Sequence, residues 1–220
     1  MDTKKELHKA FHFYQQKNLD AASNILLNLL DKYPEHLDAL NNLAIIKINQ
    51  NKPLEAIKLF NQSLKKKLQA PILNNLINVY KQLSMWSDIE NLYKENYRKI
   101  NYDLNMELSY IAALRENRKT EQVLSQIDNL LIQYPNHIDV YISSMFNLNK
   151  LNEYEKALDV GLRGRDIDPD NFLMLYNMGI TYSNLKQPEN SIYYLLKAES
   201  QNSDGNLFDL WMTLAAQYIK

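Results

Sequence analysis

The chain has 220 residues, 45% of them apolar, with 25 Lys and Arg against 26 Asp and Glu and a formal net charge of −1. That balance, with cations scattered among acids, argues against an electrostatic nucleic-acid binder. The lack of Cys excludes disulfides and thiolate metal sites, and no run approaches the roughly 18 apolar residues of a membrane span.

Only four Gly and six Pro punctuate the sequence, so helices are expected over most of it. The opening residues, Met1-Asp2-Thr3-Lys4-Lys5-Glu6, lack the apolar core of a secretory signal, and a cytoplasmic address is the expectation. Ala22, Ala56, Ile89, Val123, Ala157 and Ser191 follow one another at intervals of 34, 33, 34, 34 and 34 residues, each within a helical pattern. A period of that size marks stacked helix–turn–helix repeats. The repeats are placed at about 3–36, 37–69, 70–103, 104–137, 138–171 and 172–207, as one array over 1–220.

Each repeat reads as a helix A, a short turn and a helix B. In the second, Leu40, Leu43 and Ala44 stripe helix A, Asn51-Lys52-Pro53 breaks it, and Ala56, Ile57, Phe60 and Leu64 stripe helix B. Pro53 and Pro188 stand where helix B begins, a position that tolerates a missing N–H. Asp20, Glu55, Glu121, Glu155 and Glu189 follow in the first turn, near the positive end of the dipole. Pro34, Pro135 and Pro169 close helix B. The one basic run, Lys65-Lys66-Lys67, closes a helix, where cations complement the dipole. Tyr33-Pro34-Glu35-His36-Leu37-Asp38 recurs 101 residues later as Tyr134-Pro135-Asn136-His137-Ile138-Asp139. The array is therefore expected to have arisen from, or to work as, two three-repeat halves, with the third repeat as a weak joint around 94–104.

Leu175, Met178, Gly179, Tyr182, Ser191, Leu195 and Ala198 in the sixth repeat carry a resemblance to the tetratricopeptide repeat (TPR) family. The resemblance covers essentially the whole chain. It implies an all-α, right-handed α-solenoid of about six helix–turn–helix repeats plus a C-terminal helix. Small residues at the close-approach position of helix A, Ala10, Ala44, Gly179 and Ala215, agree with it. Ile77, Ile111 and Met145 depart from it, so wider crossings are expected there.

Catalytic and metal patterns are weak. His8 and His12 have i,i+4 spacing, but the Glu of a metalloprotease motif is absent and no third ligand is indicated. Asp166-Ile167-Asp168-Pro169-Asp170-Asn171 begins like a calcium loop and then loses its turn Gly and its bidentate Glu, so a capping turn is expected. No phosphate-cradling Gly motif is present. No catalysis by this chain alone, no cofactor and no metal are expected.

Repeat geometry in the family implies that helix A lines the inner surface. Its sixth position is His8, Asn42, Asn75, Ser109, Ser143, Asn177 and Thr213, a polar row suited to gripping a peptide backbone. The row resembles the asparagine ladder in the repeat arm of O-GlcNAc transferases, with Asn at three of the positions. Asn41, Asn74 and Asn78 flank it in the N-terminal half, and Leu108, Ile142, Phe146, Tyr176 and Ile180 in the C-terminal half. The expected grip is by backbone in repeats 2–3 and by apolar anchors in repeats 4–6. At the positions where chaperone-binding members carry a carboxylate clamp stand Leu7, Phe11, Asn42, Pro71 and Asn75, of which only Asn42 fits.

A seventh helix A is expected over 206–220, apolar on most sides, with Phe208, Trp211, Met212, Ala215 and Ile219 awaiting a downstream domain or a second copy. The expected function is a non-catalytic protein-interaction scaffold holding an extended peptide in its groove. The alternative is the substrate-recruiting TPR arm of a larger enzyme, such as a bacterial-type glycosyltransferase. The expected partner is a protein or peptide, with no nucleic acid and no membrane insertion.

Overall fold

A computed structural model describes residues 3–201, except 98 and 101. Among the described residues the chain forms twelve α-helices and no strand. They are α1 (Thr3–Gln15), α2 (Leu19–Lys32), α3 (Leu37–Asn49), α4 (Pro53–Lys66), α5 (Ala70–Gln82) and α6 (Trp86–Asn96), then α7 (Leu104–Glu116), α8 (Thr120–Gln133), α9 (Ile138–Lys150), α10 (Tyr154–Ile167), α11 (Phe172–Asn184) and α12 (Pro188–Ser200). None of them is long and apolar enough to cross a membrane. The chain divides after Tyr110, within α7, into two compact units. The expected helix over 206–220, with Phe208, Trp211, Met212, Ala215 and Ile219, lies outside the described residues.

The same backbone event joins each odd-numbered helix to the next. Lys17, Asn51, Ser84, Arg118, Asn152 and Lys186 all have φ between 54° and 63°, and they repeat the period of 34, 33, 34, 34 and 34. At the first turn the Lys17 N–H donates to the Tyr14 carbonyl (2.9 Å) and the Asn18 N–H to that of Phe13 (2.9 Å). The pair of bonds, one spanning three residues and one spanning five, is a Schellman closure. The other five turns make the matching pair, as with Arg118 to Arg115 (2.9 Å) and Lys119 to Leu114 (2.9 Å). None of the six residues is Gly, although a left-handed backbone favours it. The turn is therefore held by its hydrogen bonds and by the helices packed around it.

Starts of the helices vary more. Asn18, ahead of α2, accepts from the Ala21 N–H, whereas ahead of α3 His36 accepts from Ala39 (3.4 Å). Asp103 and Asn171 cap Met106 (3.0 Å) and Met174 (3.2 Å). Asn171 also donates to Asp168 (3.1 Å), so the Asp-rich turn serves as a cap. The two equivalent histidines part company here. His137 makes no cap, and its Nδ1 lies 3.7 Å from Asp139 instead.

In the N-terminal unit, Ala10, Ala22, Leu26, Leu29, Ala39, Leu43 and Ile46 form one buried cluster. Leu73, Ile77 and Met106 form another, to which Leu92, Ile100 and Tyr102 add partly buried surface. Helix α6 is shorter than the other even helices, and tyrosines fill in beyond it. Tyr93 stacks on Tyr110 (centroids 3.6 Å) and Tyr102 (4.6 Å), while the Tyr102 hydroxyl donates to the Leu92 and Tyr93 carbonyls. Tyr93 donates to Glu107 (2.8 Å). Burial holds the Glu107 carboxyl above its ordinary range, a rise that the Tyr93 bond opposes. Burial and that same bond push Tyr93 far up.

In the C-terminal unit the packing of helix pairs depends on matched volumes. A Cβ on Gly179 would lie 2.6 Å from Leu195, so this glycine admits the close approach expected of it. Ser191, on α12, donates to the Gly179 carbonyl (2.8 Å) from a fully buried position. Met145 brings bulk to the close-approach position of α9, and Gly161 on α10 makes room for it: a Cβ there would lie 2.7 Å from the Met145 sulfur.

Candidate functional site

The sixth-position row falls into two classes. Asn42 is half-buried and, among the described residues, its amide makes no hydrogen bond. Asn75 is half-buried and donates to Asn41 (3.4 Å). Asn74 accepts from Asn105 (3.0 Å) and donates to Asp103, and Asn78 is exposed. Leu108 is half-buried. Ser109, in contrast, is 1% exposed and donates to the Asn105 carbonyl (2.7 Å).

In the C-terminal unit Asn177 behaves like Ser109, and Ser143 does not. Asn177 is 8% exposed and donates to the Leu173 carbonyl (2.8 Å). Ser143 is half-buried and takes up the Asn147 amide through its carbonyl (2.7 Å) and its hydroxyl (3.3 Å). At Ser109 and Asn177 the position packs and is polar, because a carbonyl one turn back satisfies the donor and lifts the desolvation penalty.

A second polar register escaped the sequence reading. Arg115 donates to Asn147 (2.7 Å) and Asn149 to Thr181 (2.8 Å), each across 32 residues from one odd helix to the next. Thr181 in turn donates to the Asn177 carbonyl (2.8 Å). These bonds tie α7 to α9 and α9 to α11, and a one-turn slip would break both. The sequence signal was available in the shared spacing of Arg115–Asn147 and Asn149–Thr181.

Unbonded polarity and open apolar surface meet in the N-terminal unit. A cleft of about 110 Å³ between α1 and α3, floored by Leu26 of α2 and open to solvent, is lined by Ala10, Phe11, Tyr14, Leu26, Asn42, Ile45 and Ile46. Phe11 is 55% exposed. Tyr14 is held by the Asn49 amide, which donates to its hydroxyl (3.2 Å). A solvent-open apolar cleft with one unbonded amide on its wall can take an apolar side chain while the amide pairs with a main chain. Phe11 and Ile45 occupy the ninth position of their repeats, as Phe146 and Ile180 do in theirs. Following that position from the first repeat, as well as the sixth, would have found the cleft.

The odd-helix face of the C-terminal unit carries Ile142, Phe146, Tyr176 and Ile180. Ile142, Tyr176 and Ile180 are half-buried, and Tyr176 stacks on Phe172 (6.1 Å). Phe146 is 41% exposed, with the Arg115 guanidinium 5.0 Å and the Lys150 ammonium 5.5 Å from its ring centre.

The fold so assembled is that of TPR proteins. Similar solved structures include PilW, a type IV pilus biogenesis factor (TM-score 0.71, 12% identity, 97% of this chain and 96% of that one). PilF of Pseudomonas aeruginosa is similar at TM-score 0.68 and 16% identity over 97% and 96% of the two chains. YrrB, described as a TPR protein with an unusual peptide-binding site, is similar at TM-score 0.62 and 16% identity over 88% and 97%. No protein-family model matches the sequence, and no curated protein matches it.

Proposed function

We propose that the chain is a non-catalytic interaction scaffold that holds an extended peptide segment of a partner protein against its odd-numbered helices. The observation that carries this reading is Asn42, an unbonded amide on the wall of the apolar cleft formed with Phe11, Tyr14 and Ile45. An amide offers both a donor and an acceptor to a peptide group, and the cleft offers burial to one side chain. YrrB, with its peptide-binding site, supports the reading by likeness of fold. The glycosyltransferase-arm alternative gains no support from the similar structures.

Of the sixth-position row, Asn42 and Asn75 are the residues proposed to face the peptide in the N-terminal unit. In the C-terminal unit Phe146, Tyr176, Ile142 and Ile180 supply apolar contact. Ser109 and Asn177 have their donors committed to their own helices and serve the scaffold. The test is selection of binders from a phage-displayed library of random dodecapeptides, followed by fluorescence anisotropy with a selected peptide. Asn42→Ala should weaken binding about threefold to tenfold, the effect of losing one or two neutral hydrogen bonds. Ile45→Arg should abolish it with the helical circular dichroism retained. Unchanged affinity in both variants would overturn the reading.

A further inference from the structure

The exposed ring of Phe146 has two cations beside it. Lys150 lies one helical turn beyond Phe146 on α9, with its ammonium 5.5 Å from the ring centre. Among the described residues no carboxylate pairs with it. Arg115, on α7, stands 5.0 Å from the same ring but is already engaged. Its Nη1 donates to Asn147 (2.7 Å), and its Nε (3.2 Å) and Nη2 (2.6 Å) donate to Glu116. The side chain is only 15% exposed. The arrangement is asymmetric: one guanidinium is neutralised and fixed, and one ammonium on the same ring keeps its charge for something else. Asn149, beside Lys150 in the chain, spends its amide donor on Thr181 and leaves its buried Oδ1 unpaired.

Resting on the peptide-scaffold reading above, we infer that Lys150 and Phe146 form a subsite for an acidic residue of the bound peptide that adjoins an apolar one. The charge complement is the argument. An ammonium held over an aromatic face has its stem ordered and its polar end free, so pairing with a carboxylate orders little that is not ordered already. The neighbouring apolar side chain of the peptide would lie on the rest of the Phe146 ring, burying surface that the protein now leaves in water. Glu116 is occupied by Arg115, so the carboxylate beside that guanidinium is already paired. The subsite selects a side-chain carboxylate next to an apolar residue and needs no chain terminus.

The dodecapeptide selection tests this with the full chain. Enriched sequences should carry Asp or Glu within two residues of Leu, Ile or Phe. In anisotropy titrations of one such peptide, Lys150→Met should weaken binding about threefold to tenfold, the effect of a charge-assisted bond at a partly exposed site. The same variant should change binding of the peptide's Asn or Gln counterpart less than twofold, and Lys150→Arg should restore the acid preference. Lys150 is exposed, so the variants keep the fold, which circular dichroism verifies. Peptides enriched without acids, whose binding still depends on Asn42, would overturn the subsite and leave the scaffold reading standing. No enrichment at all would overturn both. Lys150-dependent binding of a single-stranded oligonucleotide with no acidic peptide enriched would also overturn the subsite.

Discussion

Replacing Arg118 by Gly should stabilise the protein, although it removes a long side chain and inserts the poorest helix former after Pro. Arg118 follows α7 with φ at 59°, where an L-residue crowds its Cβ against the backbone. That conformation costs about 1–2 kcal/mol for a residue with a Cβ. Glycine avoids the crowding but gives back about 0.5–1 kcal/mol through its freer unfolded chain. The net expectation is a gain of about 0.5–1 kcal/mol, or roughly 1–4 °C in Tm for a chain of this size. The Arg118 side chain is exposed and the turn's two hydrogen bonds are made by backbone N–H groups, so nothing else is lost. Lys17→Gly and Lys186→Gly are equivalent replacements in separate turns, and the three together should add to about 1.5–3 kcal/mol. Asn51→Gly is the internal control. Asn enters the left-handed region more readily than Lys or Arg, so its gain should be close to zero. Thermal and urea denaturation followed by circular dichroism read all four. A triple variant no more stable than the parent, or an Asn51→Gly gain as large as that of Arg118→Gly, would refute the reasoning.

Three further substitutions test other parts of the fold. Gly179→Ala should cost about 1–3 kcal/mol, because its Cβ would meet the branch carbon of fully buried Leu195, while Gly161→Ala should stay within about 1 kcal/mol of the parent. The difference arises because Gly161 faces the flexible end of Met145, and urea denaturation measures it. Glu107 has a folded pKa raised by burial, so its contribution to stability is fully present below the ordinary carboxylate range and is lost as pH rises through the raised value. Glu107→Gln should therefore flatten the pH dependence of stability above pH ~4.5, read as urea midpoints from pH 4 to 8. A variant as pH-dependent as the parent would exclude that role.

What could be read before the structure was whatever repeats. The 34-residue period, the prolines at the starts of α4 and α12, and the small residues at Ala10, Ala44 and Gly179 each mark a position where only a few side chains fit. The left-handed turn was hidden because its occupants, Lys17, Ser84, Arg118 and Lys186, are not the residues that normally announce one. Its hydrogen bonds are between backbone atoms and leave no compositional trace. The inward polar row was legible as a row but not as two classes. Whether Ser109, Asn177 and Asn42 spend their donors depends on burial and on a carbonyl one turn away. The Phe11–Ile45 cleft was missed because the inner face was followed through polar residues in the first three repeats. Its apolar members occupy the ninth position there, as Phe146 and Ile180 do further along.

The central claim is that a peptide lies on the odd-helix face beside Asn42. The most direct measurement is amide and methyl chemical-shift mapping of the isotope-labelled chain during titration with a selected dodecapeptide. The account predicts shifts concentrated at Phe11, Asn42 and Ile45, with a second set at Phe146 and Lys150. Shifts confined to exposed apolar residues of the even helices, such as Leu27, Leu54 and Ile132, would contradict it.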